Sequence, residues 1–129
     1  MLVSVSEHDP EGQARLAALR EGLAKLGWTE GRNLRLDVNF GAGDARRIRD
    51  YVSAFVRDAP DIIVVNSTPA LDEVFKSTRT IPVVFVLAND PVGLGYIRSL
   101  ARPGGNITGF TYWDVTLVGK WLQLLKEVA

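Results

Sequence analysis

Four polar side chains in two short loops have the clearest capacity for ligand chemistry: Ser67, Thr68, Asn89 and Asp90. The hydroxyl groups of the first loop, together with the N–H groups that begin a following helix, suit a carboxylate or another small anion. The amide and carboxylate of the second loop suit an ammonium or hydroxyl group of a ligand. Each loop could instead only cap a helix, with Thr68 or Asp90 as the capping residue. The residues alone leave both roles open.

Both loops follow short apolar runs, at residues 62–65 and 83–87, that are rich in β-branched side chains. Such runs are typical of buried parallel strands. A proline soon after each run, Pro69 or Pro91, is typical of the start of a helix. The two loops begin 22 residues apart, so we expect them to meet at one edge of one sheet. Open α/β sheets bind ligands at that edge.

The rest of the chain alternates strand-like and helix-like segments. We predict further strands at residues 1–5, 34–40 and 106–110, and helices at residues 11–26, 44–58, 69–77, 92–101 and 117–128. This alternation predicts one α/β domain over residues 1–129, with a doubly wound, five-stranded parallel sheet in three layers. The second strand alternates apolar and polar residues and therefore belongs at an edge, which favours the flavodoxin-like order 2-1-3-4-5.

The apolar positions of the predicted helices indicate which faces are buried. The last helix, for example, is expected to pack through one apolar stripe, made of Leu117, Trp121, Leu124, Leu125 and Val128.

Composition argues against several classes of partner and cofactor. Fifteen basic residues balance fifteen acidic ones, so no strong field would attract nucleic acid or an anionic membrane. The chain has no cysteine, and His8, between Glu7 and Asp9, is its one histidine. We therefore expect no metal and no cofactor. No apolar stretch reaches the ~18 residues of a membrane helix, and the N-terminus does not resemble a signal peptide.

Catalytic motifs are also absent from the sequence. It has no glycine-flanked serine elbow, no Walker phosphate loop and no GxGxxG after the first strand. A phosphoacceptor receiver domain needs an aspartate after the third strand and a lysine after the fifth, where this chain has Asn66-Ser67-Thr68 and Phe110-Thr111-Tyr112. We therefore predict a protein that is not an enzyme. The alternative is an enzyme or regulatory sensor on a flavodoxin-like scaffold, since fold alone does not determine function.

Six segments occur together in an order and spacing that resemble a known family. They are Gly27-Trp28-Thr29-Glu30-Gly31-Arg32-Asn33, Pro60-Asp61-Ile62-Ile63, Ser67-Thr68-Pro69-Ala70, Ile81-Pro82-Val83-Val84-Phe85-Val86, Asp90-Pro91-Val92 and Leu100-Ala101-Arg102-Pro103-Gly104-Gly105-Asn106-Ile107-Thr108-Gly109. The chain resembles the substrate-binding proteins of bacterial ABC transporters, in the family that includes tryptophan- and tyrosine-binding proteins.

The resemblance implies a type I periplasmic-binding fold, in which two α/β lobes close on a ligand, and residues 1–129 match its N-terminal lobe. It implies a solute-binding component of an ABC importer that binds a small polar molecule such as an amino acid. The partner would be the transporter permease, and the location periplasmic or otherwise extracytoplasmic. The ligand-binding positions carried over are Ser67, Thr68, Asn89 and Asp90, with Ser6 and Thr111 as additional positions.

An isolated lobe of this kind would expose surfaces that the second lobe covers in a complete binding protein. Three aromatic residues after the fifth strand would then form an apolar patch that favours a homodimer: Phe110, Tyr112 and Trp113.

Overall fold

One parallel β-sheet organises the protein. The computed structural model describes residues 1–3, 5–111 and 115–128. Its strands are β1 (Leu2–Val3), β2 (Asn39–Phe40), β3 (Ile63–Val65), β4 (Val83–Val86) and β5 (Ile107–Phe110). All pair in parallel, and their order across the sheet is β2-β1-β3-β4-β5. The predicted α/β fold with a parallel sheet is confirmed.

The helices in the described ranges are α1 (Pro10–Lys25), α2 (Ala45–Asp58), α3 (Thr68–Ser77) and α4 (Val115–Val128). A side-chain oxygen just before each of the first three accepts from a backbone N–H that the helix itself cannot satisfy. Asp9 accepts from Gly12 at 2.9 Å, and Asp44 accepts from Arg46 and Arg47 at 2.8 and 3.1 Å. These caps fix where the helices begin relative to the ends of the strands.

The hydrophobic core lies between the central strands and the pair α2 and α3. Val65 and Phe85 are opposite one another in the register of β3 and β4, and both are fully buried. Val52, Leu71 and Val74 pack on them from the helices and are equally buried. Burying a side chain of this size stabilises the fold by about 1.5–3 kcal/mol, so the loops that leave β3 and β4 start from a rigid platform.

The direction in which successive strands are added to the sheet reverses between β1 and β3. The chain moves from β1 outward to β2 through α1, then returns through α2 to β3 and continues through α3 to β4. Because parallel crossovers are right-handed, α1 lies on the opposite face of the sheet from α2 and α3. The connections after β1 and β3 therefore part to opposite faces and open a crevice between them.

The predicted helix at residues 92–101 is wrong. Residues 91–95 form a series of turns instead, and none of residues 87–106, all of which the structure describes, is helical. Asp90 and Gly95 have left-handed backbone conformations, with φ of 42° and 79°, which a continuous right-handed helix does not allow. Tyr96 anchors the segment to α3 through its hydroxyl group, which donates to Asp72 at 3.2 Å, and through edge-on contact with Phe75.

The predicted strand at residues 34–40 is mostly irregular. Among the described residues of this segment, Asn39–Phe40 pair with β1 and Leu34 forms an isolated bridge with Glu30. An edge strand has a neighbour on one side only, so alternation of polar and apolar residues did not ensure a continuous ladder.

The predicted burial of the apolar stripe on the last helix is also wrong for the residues described. Trp121, Leu124, Leu125 and Val128 are 49–87% exposed. The side chain of Leu117 lies outside the described part of the chain. An amphipathic pattern indicates that a helix has a face suited to burial, but not which surface covers it.

Candidate functional site

A cleft of about 580 Å³ opens at the crevice between β1 and β3. It is lined by the start of α1 on one side and by the loops after β3 and β4 on the other: Glu11, Arg15, Asn66, Ser67, Thr68, Pro69, Leu87 and Asn89. Its volume falls within the ~300–1,000 Å³ that is usual for small-molecule sites. Three of the sequence-predicted positions, Ser67, Thr68 and Asn89, come together here.

Ser67, not Thr68, is the residue that caps α3. Its hydroxyl oxygen accepts from the backbone N–H of Ala70 at 3.3 Å, from an extended conformation that is usual for an N-cap. The alternative that assigned the cap to Thr68 is therefore wrong. Thr68 and Pro69 form the first turn of α3, where the helix N–H groups and the positive end of its dipole border the cleft.

The hydroxyl oxygen of Thr68 joins the two loops. It accepts from the backbone N–H of Asn89 at 2.9 Å, across 21 residues of sequence. This hydrogen bond holds the loop after β4 against the beginning of α3, so the side chains of Ser67 and Asn89 lie on one continuous surface.

The backbone of the second loop is strained at the cleft. Leu87, which lines the cleft directly after β4, has φ of 63°, a conformation that bulky side chains seldom adopt. Its N–H donates to the carbonyl oxygen of Phe110 at 3.0 Å, which holds it in place. Strain of this kind costs on the order of 1–3 kcal/mol and is concentrated at functional sites.

Asp90 lies outside the lining of this cleft. Its carboxylate accepts from the backbone N–H of Gly93 at 3.0 Å and thereby stabilises the turn that follows β4. A β-carbon at Gly93 would come within 2.1 Å of that carboxylate, so a larger residue there would displace the Asp90 side chain from this hydrogen bond. Asp90 thus follows Asn89 directly in the sequence, but its carboxylate is bound within its own loop.

Glu11 and Arg15 line the cleft although the motifs did not identify them. They form an ion pair one turn apart on α1, with side-chain exposures of 73% and 35%. The available indication was their position: charged residues in the first turns of the helix after β1 must lie near the loop after β3, because β1 and β3 are neighbours.

Ser6 and His8 belong to a second, smaller cleft of about 370 Å³ on the other side of β1. Its lining includes Glu7, Asn39, Phe40, Arg47 and Tyr51, and Arg47 donates to the hydroxyl oxygen of Tyr51 at 3.3 Å. That hydrogen bond raises the pKa of Arg47 above its ordinary value, which already keeps an arginine side chain cationic.

Thr111 is half-buried after β5 and lines neither cleft. Tyr112 and Trp113, which were expected to form an apolar patch with Phe110, lie outside the described residues, whereas Phe110 itself is 72% exposed. Within residues 1–3, 5–111 and 115–128, no three metal-ligating side chains form a group that could hold an ion. None of the helices in the same ranges is long and apolar enough to cross a membrane.

Comparison with known proteins identifies the family. The family model described as ABC transporter substrate binding protein matches residues 2–129. A curated relative, the tyrosine-binding protein of Clostridioides difficile, is 31% identical over 122 residues. The match covers 95% of this chain and 34% of that protein, so the chain spans about a third of the length of its relative. The chain belongs to the family of ABC transporter substrate-binding proteins, as its motifs predicted.

Solved structures of longer proteins share the fold. A conserved domain protein from Vibrio cholerae superposes with a TM-score of 0.80 at 32% identity, over 98% of this chain and 42% of that one. A ligand-free, open substrate-binding protein with adhesive properties from Clostridium difficile superposes with a TM-score of 0.80 at 30% identity, over 97% of this chain and 41% of that one. An ABC domain in complex with L-Trp from Streptococcus pneumonia superposes with a TM-score of 0.77 at 27% identity, over 85% of this chain and 36% of that one.

Proposed function

We propose that this chain is a solute-binding lobe of an ABC importer and that it binds a small polar molecule, an amino acid above all, in the cleft between β1 and β3. The observation that carries the proposal is the meeting of Ser67, Thr68 and Asn89 in one cleft at the reversal of strand order. The names of two relatives support the choice of ligand, since one is a tyrosine-binding protein and another was solved with L-Trp.

The chemistry of the cleft suits binding rather than catalysis. The first turn of α3 offers N–H groups and the positive end of a helix dipole to a ligand carboxylate. The hydroxyl of Ser67 and the amide of Asn89 can exchange hydrogen bonds with the polar groups of an amino acid. Of the described residues that line the cleft, none is a histidine or a cysteine that could serve as a nucleophile or general base. We therefore propose a protein without enzymatic activity.

We further propose that residues 1–129 form the N-terminal lobe of a two-lobed binding protein, a three-layered lobe with the flavodoxin-like strand order. In that protein the second lobe would close over the cleft and exclude water from the ligand. Its partner would be the permease of the transporter, and its location extracytoplasmic. The relatives support this extension, because they are more than twice as long as the matched segment.

The proposal is tested by titrating the natural protein that carries this sequence with a panel of amino acids, in a calorimeter, after removal of any ligand that copurifies. Tyrosine and tryptophan come first, with glutamate, lysine and leucine as representatives of other side-chain classes. Saturable binding of at least one amino acid at micromolar or lower concentration is expected. Failure of the whole panel to bind would contradict the proposed ligand class.

A further inference from the structure

Arg15 differs from every other residue of the first cleft in its charge. Of the eight described residues that line this cleft, Arg15 is the one cation and Glu11 the one anion. Of the remaining lining residues, Ser67, Thr68, Asn66 and Asn89 offer hydroxyl and amide groups without charge, and Pro69 and Leu87 are apolar. A ligand carboxylate that leaves water for a partly enclosed cleft needs a compensating positive charge. Arg15 carries a full charge, part of which the exposed Glu11 carboxylate offsets, whereas the end of α3 carries only a partial charge.

The ion pair with Glu11 suits this role. The guanidinium of Arg15 donates to the Glu11 carboxylate one helical turn away, and the Glu11 side chain is 73% exposed. An ion pair with so exposed a partner is screened by solvent and adds little to stability. It does hold the guanidinium beside Glu11 in the first turn of α1. A guanidinium has five N–H donors, which is more than one carboxylate accepts, so it can bind a second carboxylate at the same time.

We propose that Arg15 is a specificity-determining residue of the first cleft: together with the first turn of α3 it binds the carboxylate of the ligand, while Glu11 is a positioning residue that holds the guanidinium in place. This inference rests on the proposed function, and it adds that the cleft selects amino acids over the corresponding amines. The polar contacts of Ser67 and Asn89 would then bind other groups of the ligand.

The test compares ligands with and without a carboxylate in the natural protein and its Arg15→Gln variant. L-Tyrosine and tyramine share a ring and an amine, as do L-tryptophan and tryptamine, and differ in the carboxylate. A charge-assisted hydrogen bond to arginine contributes enough that its loss weakens binding by about 10- to 100-fold. We expect Arg15→Gln to weaken the binding of the amino acid by this factor and to change the binding of the amine by less than about twofold.

Arg20→Gln is the matched control. Arg20 lies on the same helix and forms an ion pair with Glu30 at 2.8 Å, but it lines neither cleft. This variant should bind all four compounds as the unmodified protein does. Arg15→Lys retains the charge without the planar guanidinium and should give an intermediate affinity for the amino acids. If Arg15→Gln does not fold, Arg15→Lys supplies the comparison, with a loss confined to the amino acids as the expected result.

The possible results separate the two proposals. An Arg15→Gln protein that binds the amino acid as tightly as the unmodified protein overturns the role of Arg15 and leaves the proposed function intact. Equal weakening for amino acid and amine also overturns it, because the residue would then act on the structure of the cleft. An unmodified protein that binds neither tyrosine nor tryptophan, nor any other amino acid of the panel, overturns the proposed function and the role of Arg15 together.

Discussion

At the scale of single residues, the most consequential contact is the hydrogen bond from the Asn89 N–H to the Thr68 hydroxyl oxygen, 2.9 Å long. Thr68 is not required as a helix cap, since Ser67 has that role. Its hydroxyl instead fixes the distance between two loops that must both face a ligand. Preorganisation of this kind improves affinity, because the loops lose less freedom on binding.

Thr68→Val should therefore reduce both stability and ligand affinity, because valine has nearly the same shape but no acceptor for the Asn89 N–H. The loss of one neutral hydrogen bond predicts a decrease of about 0.5–1.5 kcal/mol in the free energy of unfolding. Thr68→Ser, which retains the acceptor, should stay close to the unmodified protein. Urea denaturation and calorimetric titration measure the two effects. A Thr68→Val protein with unchanged stability and affinity would show that the contact is dispensable.

Asp44 gives a prediction about pH. The backbone N–H groups of Arg47 and Arg46 donate to its carboxylate and lower its pKa below the ordinary value of 3.8. The stabilisation from this cap is therefore complete above pH 3.8 and is lost as the pH falls through the lower pKa of the folded state. We expect the difference in urea midpoint between the unmodified protein and Asp44→Ala to be constant from pH 7 to pH 5 and to shrink below pH 3.8.

Asp44→Asn serves as the control, since asparagine caps a helix without titrating. The difference in urea midpoint between Asp44→Asn and Asp44→Ala should not change over the same range of pH. A difference between the unmodified protein and Asp44→Ala that stays constant down to pH 2 would contradict the assignment of Asp44 as a charged cap.

At the scale of secondary-structure elements, two glycines of the α1 region should respond oppositely to the same substitution. Gly22 lies inside α1, and an added β-carbon there would meet nothing within 4 Å. Gly22→Ala should raise the free energy of unfolding by about 0.5–1 kcal/mol, because alanine loses less backbone freedom in a helix. Gly27, just after the helix, has φ of 88°. Gly27→Ala should lower the free energy of unfolding by about 1–2 kcal/mol, since the left-handed conformation is unfavourable for alanine.

Chemical denaturation of the two variants under identical conditions is sufficient to test this pair. If both substitutions lower the free energy of unfolding, the prediction for Gly22 is contradicted, and Gly22 must be needed for a contact outside α1.

The elements predicted correctly from the sequence are those that depend on local interactions or on dense runs of apolar residues. The strands β3 and β4 and the helices α2 and α3 were evident, because their apolar residues repeat with the period of the structure they form. The helix expected at residues 92–101 was not formed. Its apolar positions were compatible with a helix, but Gly93 and Gly95 favour turns, and the backbone of Asp90 is left-handed.

The candidate site was predicted in part for the same reason. Ser67, Thr68 and Asn89 follow strands directly, so their position depended only on the sheet. The bond between Thr68 and Asn89 and the presence of Arg15 depend on how α1 and two loops pack together, which no local pattern specifies. The sequence did not show that the Asp90 carboxylate accepts from the Gly93 N–H within its own turn, and the role of Asp90 in ligand binding stays a prediction.

At the scale of the whole molecule, an apolar surface of α4 suggests association. Trp121, Leu124, Leu125 and Val128 are spaced along one face of the helix and are exposed, as is Phe110 at the end of β5. Contiguous apolar patches on a soluble protein tend to bind another surface. We propose that the 129-residue chain, in the absence of further domains, forms a homodimer through this face.

Multi-angle light scattering over a hundredfold range of protein concentration tests the dimer. The mass should rise from that of one chain, 14.2 kDa, toward twice that value as the protein concentration increases. Leu125→Glu should keep the chain monomeric, because it places a charge in the centre of the apolar face, whereas Gln123→Glu on the same helix should have no effect. A mass of one chain at every concentration would contradict the proposal.

The central claim is that the cleft between β1 and β3 binds the ligand, and it is tested most directly by comparing the two clefts. In the natural protein, calorimetric titration of the tightest-binding amino acid would be repeated with Ser67→Ala plus Asn89→Ala in the first cleft and with His8→Ala plus Tyr51→Phe in the second. We predict that the first pair weakens binding by at least about tenfold, since two hydrogen bonds to the ligand are lost, and that the second pair leaves it unchanged. The opposite result, with affinity lost only through His8 and Tyr51, would place the ligand in the second cleft and contradict the assignment.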